Sequence, residues 1–278
     1  MIPRLKVWMV GFALAAGLHA TAARAQDAQD AQDAQASREP QLNQPGKDVQ
    51  WVPTPPALVE KMLDMAEVGA KDRVVDLGSG DGVLVIAAAK RGARARGIEY
   101  DRGLVEVSKR KAAEAGVGAR TKFTRGDIFK TDFSEATVVT TFLRPSMNLR
   151  LRPRFLAMKP GTRIVANTFA IGEWTPDRTE TLDGCERWCT ALLWIVPARV
   201  EGRWRTPVGD LVLSQQFQFV SGTLGKQPIA DGRLRGDELS FTVEGTPFVA
   251  RVDGYRMQVS TTVDGEPATW TALLTPTR

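Results

Sequence analysis

Apolar and polar positions change rhythm four times along the chain. Val7 to Leu18 is an unbroken apolar run, and Gln26 to Ala34 is a threefold Gln-Asp-Ala tract without an aromatic or β-branched residue. From Leu58 the apolar residues Leu58, Val59, Met62, Leu63 and Ala66 fall on one helical face, with Thr54 as the expected N-cap, proline in the first turn, and Val68-Gly69 as the stop. Short β-branched runs then alternate with helical stretches. Arg73–Leu77 predicts a buried parallel strand, Gly78–Gly82 a turn and Val83–Lys90 a helix. Further strands are predicted at Gly97–Asp101, Phe123–Ile128 and Thr137–Phe142, and a helix, turn and fifth strand within Leu156–Ala166. Beyond about Gly202 helical spacing disappears. Leu211–Val220, Glu238–Val243, Phe248–Val252 and Arg256–Thr262 read as strands, punctuated by Asp231-Gly232, Glu244-Gly245, Asp253-Gly254 and Asp264-Gly265 as hairpin turns. The expected fold is α/β, a doubly wound, mostly parallel sheet followed by a C-terminal antiparallel β-meander or small barrel.

The first run has the build of an address. Arg4 and Lys6 precede it and Ala23-Arg24-Ala25 follows as an A-x-A cleavage pattern, so residues 1–25 read as a signal peptide and the mature chain as exported, to the periplasm. The run is shorter than the ~20 residues of a spanning helix, so no membrane span is expected after cleavage. Residues 26–45 read as a linker that can bury too little apolar surface to offset its ordering entropy. Residues 46–200 are expected to form the α/β domain and 201–278 the β domain.

With 43% apolar and 25% charged residues over 278 positions, the composition is globular. Without Arg4, Lys6 and Arg24 the formal charge of +5 falls to +2, which gives no specific nucleic-acid signal. His19 is the single histidine and lies in the removable segment, so mature-chain chemistry must run without imidazole: no Ser-His-Asp or Cys-His mechanism, and no Cys/His set for a metal. Cys185 and Cys189 could pair in an oxidising compartment on a helical or looped path. Four residues of strand would set their Cα atoms about 13 Å apart, beyond disulfide reach.

Strand, glycine turn and helix together make a ligand cradle, because glycines let the main chain approach a ligand and a helix N-terminus offers free N–H groups. A dinucleotide fingerprint fails here, since Val83 stands where its third glycine belongs, and the Lys-Ser/Thr of a phosphate loop is absent. The pattern that fits is D-x-G-x-G-x-G from Asp76 to Gly82. It resembles motif I of the class I S-adenosylmethionine-dependent methyltransferases, a likeness extending over roughly residues 46–200. Within them the chain is similar to the small protein-lysine methyltransferases, whose members include mitochondrial enzymes acting on ATP synthase. That likeness rests on Val52-Pro53-Thr54, on DLGSGDGVLVI from Asp76 to Ile86, and on Ser134 to Thr140.

The resemblance implies S-adenosyl-L-methionine as cofactor and methyl transfer as activity. Asp76 and the backbone around Gly78, Ser79, Gly80 and Gly82 would hold the methionine part. Glu99, 23 residues beyond Asp76, would take the ribose hydroxyls; Asp127 would accept from the adenine amino group and the Ile128 amide would bond a ring nitrogen. Asp81 reads as no more than a helix cap. Where many amino methyltransferases carry an Asn/Asp-Pro-Pro-aromatic clamp, this chain has Thr140-Thr141-Phe142-Leu143. Thr141 and Phe142 are the candidates for lining an acceptor pocket, and the catalytic residues stay open. Arg144, Arg150, Arg152 and Arg154 read as a solvated basic helix face. The acceptor is left open, a protein lysine among the options. The alternative is an exported scaffold or binding protein that keeps the cofactor fold without turnover.

Overall fold

Four of the five residues of the first strand, Arg73–Leu77 (β1), are buried, as a strand covered on both faces requires. The computed structural model describes residues 51–263 and 265–275, so the leader, its cleavage site and the linker lie outside the described residues. Helix α1 (Pro56–Met65) precedes β1, α2 (Val83–Lys90) follows it, and β2 (Arg94–Glu99), α3 (Arg102–Glu114), β3 (Thr121–Arg125) and β4 (Val138–Thr141) come next. After α4 (Pro145–Leu156) come β5 (Arg163–Asn167), β6 (Arg178–Thr181) and β7 (Thr190–Ile195). The sheet order is β3-β2-β1-β4-β5-β7-β6, with β1 to β5 parallel and β7 antiparallel to both its neighbours. Order reverses beside β1, so the carboxyl ends of β1, β2 and β4 diverge around a crevice where an open α/β sheet takes its ligand.

Two sequence expectations for this sheet are corrected. Strands β6 and β7 are not among the expected elements: Arg178–Thr181 is largely exposed and polar and lacks an apolar signal, whereas Thr190–Ile195 is a buried apolar run missing from the expected strands. Nor do helical stretches separate all the strands: residues 126–137 pass from β3 to β4 through turns. The sheet face they leave open carries a groove of about 660 Å³ lined by Arg73, Arg94, Arg96, Lys122 and Phe133 among others.

The C-terminal strands β8 (Gly202–Arg205), β9 (Leu211–Gln216), β10 (Phe219–Leu224), β11 (Gln227–Arg235), β12 (Glu238–Val243), β13 (Thr246–Asp253), β14 (Arg256–Val263) and β15 (Glu266–Leu274) form a closed antiparallel barrel. Pairing of β15 with β8 completes it and leaves no open edge. The alternation of β13, with Phe248, Ala250 and Val252 inward, is repeated around the ring, and Trp204, Leu213, Leu239, Phe241, Met257 and Val259 fill the interior. Leu211–Val220, expected as one strand, is two: the chain reverses at Phe217, whose φ of +55° lies in the left-handed region. Asp231-Gly232, expected as a turn, lies inside β11 as an irregularity where the register with β12 shifts. A Cβ on Gly232 would stand 2.1 Å from the Val220 carbonyl oxygen, so glycine is needed there for close strand approach rather than for reversal.

The reversal at Phe217 pegs the barrel onto the sheet. Trp174 Nε1 donates to Gln218 Oε1 at 2.9 Å, Gln218 Nε2 donates to the Thr175 carbonyl at 2.7 Å, and Trp194 Nε1 of β7 donates to the Trp174 carbonyl at 2.7 Å. Trp174, Trp194 and Gln218 are fully buried, and Phe217 stacks on Trp174 with ring centroids 5.9 Å apart. Gln218→Ala strands the Trp174 indole N–H and the Thr175 carbonyl, and is expected to cost about 1–3 kcal/mol of stability. Denaturant unfolding of the mature chain checks this; an unchanged midpoint would show that the peg carries no stability.

Candidate active site

Residues at the carboxyl ends of β1, β2 and β4 meet around the glycine loop. The register sets Asp76 of β1 opposite Thr140 of β4 and Gly97 of β2. Thr140 Oγ1 donates to Asp76 Oδ1 at 2.7 Å, and Asp76 is 3% exposed. Burial lifts its carboxyl well above the usual range, partly offset by the Thr140 hydrogen bond and reinforced by the negative charges of Glu99 and Asp81, to about 7. Glu99 is also pushed upward by burial, against the pull of backbone amides that bond it. Its Oε2 accepts from the Gly80 amide and its Oε1 from the Asp101 amide, both at 2.9 Å. The acid is thus fixed in orientation, with further lone-pair capacity on each oxygen.

Ser108 of α3 ties the loop from the other side, its hydroxyl donating to the carbonyls of Gly80 and Leu104 at 2.9 Å each. Asp101 caps α3 by accepting from the Leu104 amide at 3.0 Å. Asp81, expected as a helix cap, instead pairs with Lys111 Nζ at 2.7 Å, and the α2 N-cap is Gly82. Thr54, expected to cap α1, makes no cap bond. Its hydroxyl accepts from Asn167 Nδ2 at 3.4 Å, which draws the chain before α1 across the end of β5. Trp51, in that same stretch, lies on the loop: a Cβ on Gly80, whose φ is +53°, would stand 2.4 Å from Trp51 Nε1.

Asp127 and Ile128 stand beyond β3 rather than within a strand to Ile128. Asp127 Oδ1 accepts from the Phe129 amide at 2.8 Å, which leaves its other carboxylate oxygen for a ligand. Arg154 holds this turn, donating to the carbonyls of Ile128 and Thr131 at 2.8 Å, with its guanidinium over Phe133. Arg150 lies over Phe129, and Arg152 pairs with Glu173 at 2.6 Å. Arg144 and Arg150 are exposed, as a solvated face requires, whereas the half-buried Arg152 and Arg154 act as staples, a role for which a run of arginines carries no sequence signal.

The cradle suits an adenosyl group with an amino-acid tail. An oriented carboxylate with spare acceptor capacity stands beside the glycine loop, a second acid is buried next to it, and the buried Ser79 hydroxyl has no partner among the described residues. At the end of β4, Thr141 is 1% and Asn148 of α4 is 0% exposed; Thr141 Oγ1 and Asn148 Oδ1 have no hydrogen-bond partner among the described residues. Asn148 Nδ2 donates to the Phe169 carbonyl at 2.9 Å, which fixes which amide atom is the oxygen. Phe142 packs near Phe169 and Trp188. Asn148, Phe169, Trp188, Trp51 and Ser108 escaped sequence reasoning, because each reaches the site through packing of distant segments.

Comparison with known proteins agrees with this geometry. The family described as the ANTKMT methyltransferase domain matches residues 76–178. The protein-lysine N-methyltransferase of Saccharolobus islandicus is 40% identical over 131 residues, 46% of this chain and 81% of that protein. The adenine nucleotide translocase lysine N-methyltransferase of Mus musculus is 36% identical over 120 residues, 42% of this chain, and the chain spans 52% of its length. Among solved structures, an RNA methyltransferase from Salinibacter ruber in complex with S-adenosyl-L-homocysteine superposes with a TM-score of 0.51 at 46% identity, covering 54% of this chain and 96% of that one. On the archaeal relative's identity and coverage, with the D-x-G-x-G-x-G cradle intact, the chain belongs to the class I S-adenosylmethionine-dependent methyltransferases of the protein-lysine methyltransferase family.

Proposed function

We propose that this methyltransferase modifies the ε-amine of a protein lysine, and does so outside the cytoplasm. The observation that carries the acceptor is two buried oxygens, Thr141 Oγ1 at the end of β4 and Asn148 Oδ1 of α4, which have no hydrogen-bond partner among the described residues. An amine brings N–H donors, and two fixed acceptors can aim its lone pair away from themselves. Support for export comes from the Cys185–Cys189 disulfide, since such bonds persist in oxidising compartments, together with the leader-like residues 1–25.

S-adenosylmethionine supplies an electrophilic methyl group on a sulfonium, whose departure needs no proton. In this reading Glu99 accepts the ribose hydroxyls, Asp127 and the Ile128 amide meet the adenine edge, and Asp76 with the loop from Gly78 to Gly82 receives the methionine end. The lysine ammonium must lose a proton before it attacks. With no histidine in the mature chain, desolvation beside the buried Leu143 is the lever, because burial disfavours the charged amine.

Calorimetric titration with S-adenosylhomocysteine tests the cradle. Glu99→Ala is expected to weaken binding about a hundredfold, the loss of two hydrogen bonds to a charged group. Gly80→Ala, strained at φ +53° and driven into Trp51, is expected to weaken it at least tenfold. No heat with the unmodified chain would refute the assignment. For the acceptor, the mature protein is incubated with methyl-labelled cofactor and host envelope or RNA fractions. Label in acid-stable lysine derivatives supports the proposal; label in RNA alone, or none while cofactor binds, overturns it.

Asp76 gives a pH signature. Its carboxyl lies near 7 folded against 3.8 unfolded, so the folded chain binds the extra proton between those values and stability falls as pH rises through that window. If Asp76 receives the cationic amino end as carboxylate, affinity rises about tenfold per pH unit below 7 and levels above it. Titrations from pH 5.5 to 8.5 on wild type and Asp76→Asn check both. A flat wild-type profile contradicts the role given to Asp76.

A further inference from the structure

The family match ends at residue 178, yet a residue from beyond it completes the acceptor side of the site. Trp188 sits in the connection between β6 and β7, and its ring centroid lies 5.7 Å from Phe142, edge-on, and 5.2 Å from Phe169, tilted. Phe142 and Phe169 stack at 6.2 Å. The three rings come from the carboxyl ends of β4 and β5 and from the start of antiparallel β7, which the sheet places at one edge. All three are half-buried, so each keeps part of its surface toward solvent.

Trp188 is held there against its own preference. Its φ of +58° lies in the left-handed region, where a bulky side chain is an outlier. The Cys185–Cys189 disulfide, with Cα atoms 5.8 Å apart, closes the loop around it, and Cys189 leads directly into β7. Cys189 is buried, whereas the neighbouring Glu186 and Arg187 are exposed. Beside the rings lies Asn148, fully buried, with its Nδ2 on the Phe169 carbonyl and its Oδ1 without a partner among the described residues. An aromatic wall next to a buried lone acceptor is matched to a ligand with an apolar stem and a positively charged nitrogen. Ring faces attract such a head, and the amide oxygen takes an N–H.

We propose that Phe142, Phe169 and Trp188 form an alkylammonium-binding wall for the acceptor side chain and its methylated products, and that the Cys185–Cys189 disulfide keeps Trp188 in it. This rests on the lysine reading above and adds the determinant of charge and shape. A wall that favours nitrogen cations as methyl groups accumulate keeps the mono- and dimethylated amine near the site for further transfer. It also makes the acceptor site, but not the cofactor cradle, depend on the disulfide.

The test uses a matched pair of probes on the mature, disulfide-intact chain, with and without S-adenosylhomocysteine: choline, and its uncharged isostere 3,3-dimethylbutan-1-ol. Choline is expected to bind at least tenfold more tightly than the alcohol, because the wall reads charge as well as shape. Trp188→Ala should abolish that preference, and Trp188→Phe should retain part of it. The Cys185→Ser/Cys189→Ser double variant should weaken choline at least fivefold. Each variant is also titrated with S-adenosylhomocysteine, whose affinity should change less than twofold, which separates loss of the wall from loss of fold. Equal binding of the two probes, no choline binding, or an unaltered preference in Trp188→Ala overturns the proposal. Failure of S-adenosylhomocysteine to bind the unmodified chain refutes the methyltransferase reading instead.

Discussion

Three carboxylates, Asp76, Asp81 and Glu99, crowd one glycine loop, and the rest of the site is arranged around their repulsion. Burial and mutual charge both disfavour ionising them together, and Asp76, the deepest, carries the consequence. Each is restrained: Asp76 by Thr140, Glu99 by the Gly80 and Asp101 amides, and Asp81 by Lys111. Only the Lys111 ammonium neutralises a charge, that of Asp81; Asp76 and Glu99 are held by neutral donors. In the proposed reading Asp76 and Glu99 would lie near the sulfonium and amino group of S-adenosylmethionine, and would hold the product, which lacks the sulfonium charge, less strongly.

The arginines of α4 solve a different problem. With no helix between β3 and β4, the turn bearing Asp127 and Ile128 has no element of its own to rest on. Arg154 supplies carbonyl partners and lies across Phe133, while Arg150 covers Phe129, so α4 grips the turn with guanidinium groups where a helix would have packed against it. Arg154 is used in both ways, its rim donating to carbonyls and its plane lying on a ring. A lysine could do one of these but not both. The remaining open sheet face keeps Arg94 and Lys122 along its groove.

What the sequence displayed was the part governed by local rules. Motif I, its strand and its helix are contiguous, so backbone conformation and ligand contact are written in the same seven residues from Asp76 to Gly82. An apolar helical face likewise marked α1, a short β-branched apolar run marked β1, and strand-like runs between Gly-containing turns marked most barrel strands. Features set by tertiary contact were not displayed. Thr54 has the composition of a cap, yet the free hydroxyl is taken by Asn167, 113 residues away. Asp231-Gly232 has the composition of a turn, yet its glycine answers a clash with the Val220 carbonyl on the next strand. The acceptor side was least legible, since Asn148, Phe169 and Trp188 stand on three segments with no fixed spacing.

The barrel bears on the site through a chain of packed contacts rather than through a cavity of its own, because its interior is filled. Gln218 at the β9–β10 reversal holds Trp174, and the Trp174 carbonyl holds the indole of Trp194 in β7. Strand β7 pairs with β5 on one side and β6 on the other, and its first residue follows Cys189. The placement of Trp188 thus depends on β7 from one end and on the disulfide from the other. Here the barrel clamps that strand from behind, and the loop before it can carry a bulky residue at a left-handed backbone position without relaxing. Barrel, strand, disulfide and aromatic wall thus form one mechanical series, joined through the buried Trp174 and Trp194.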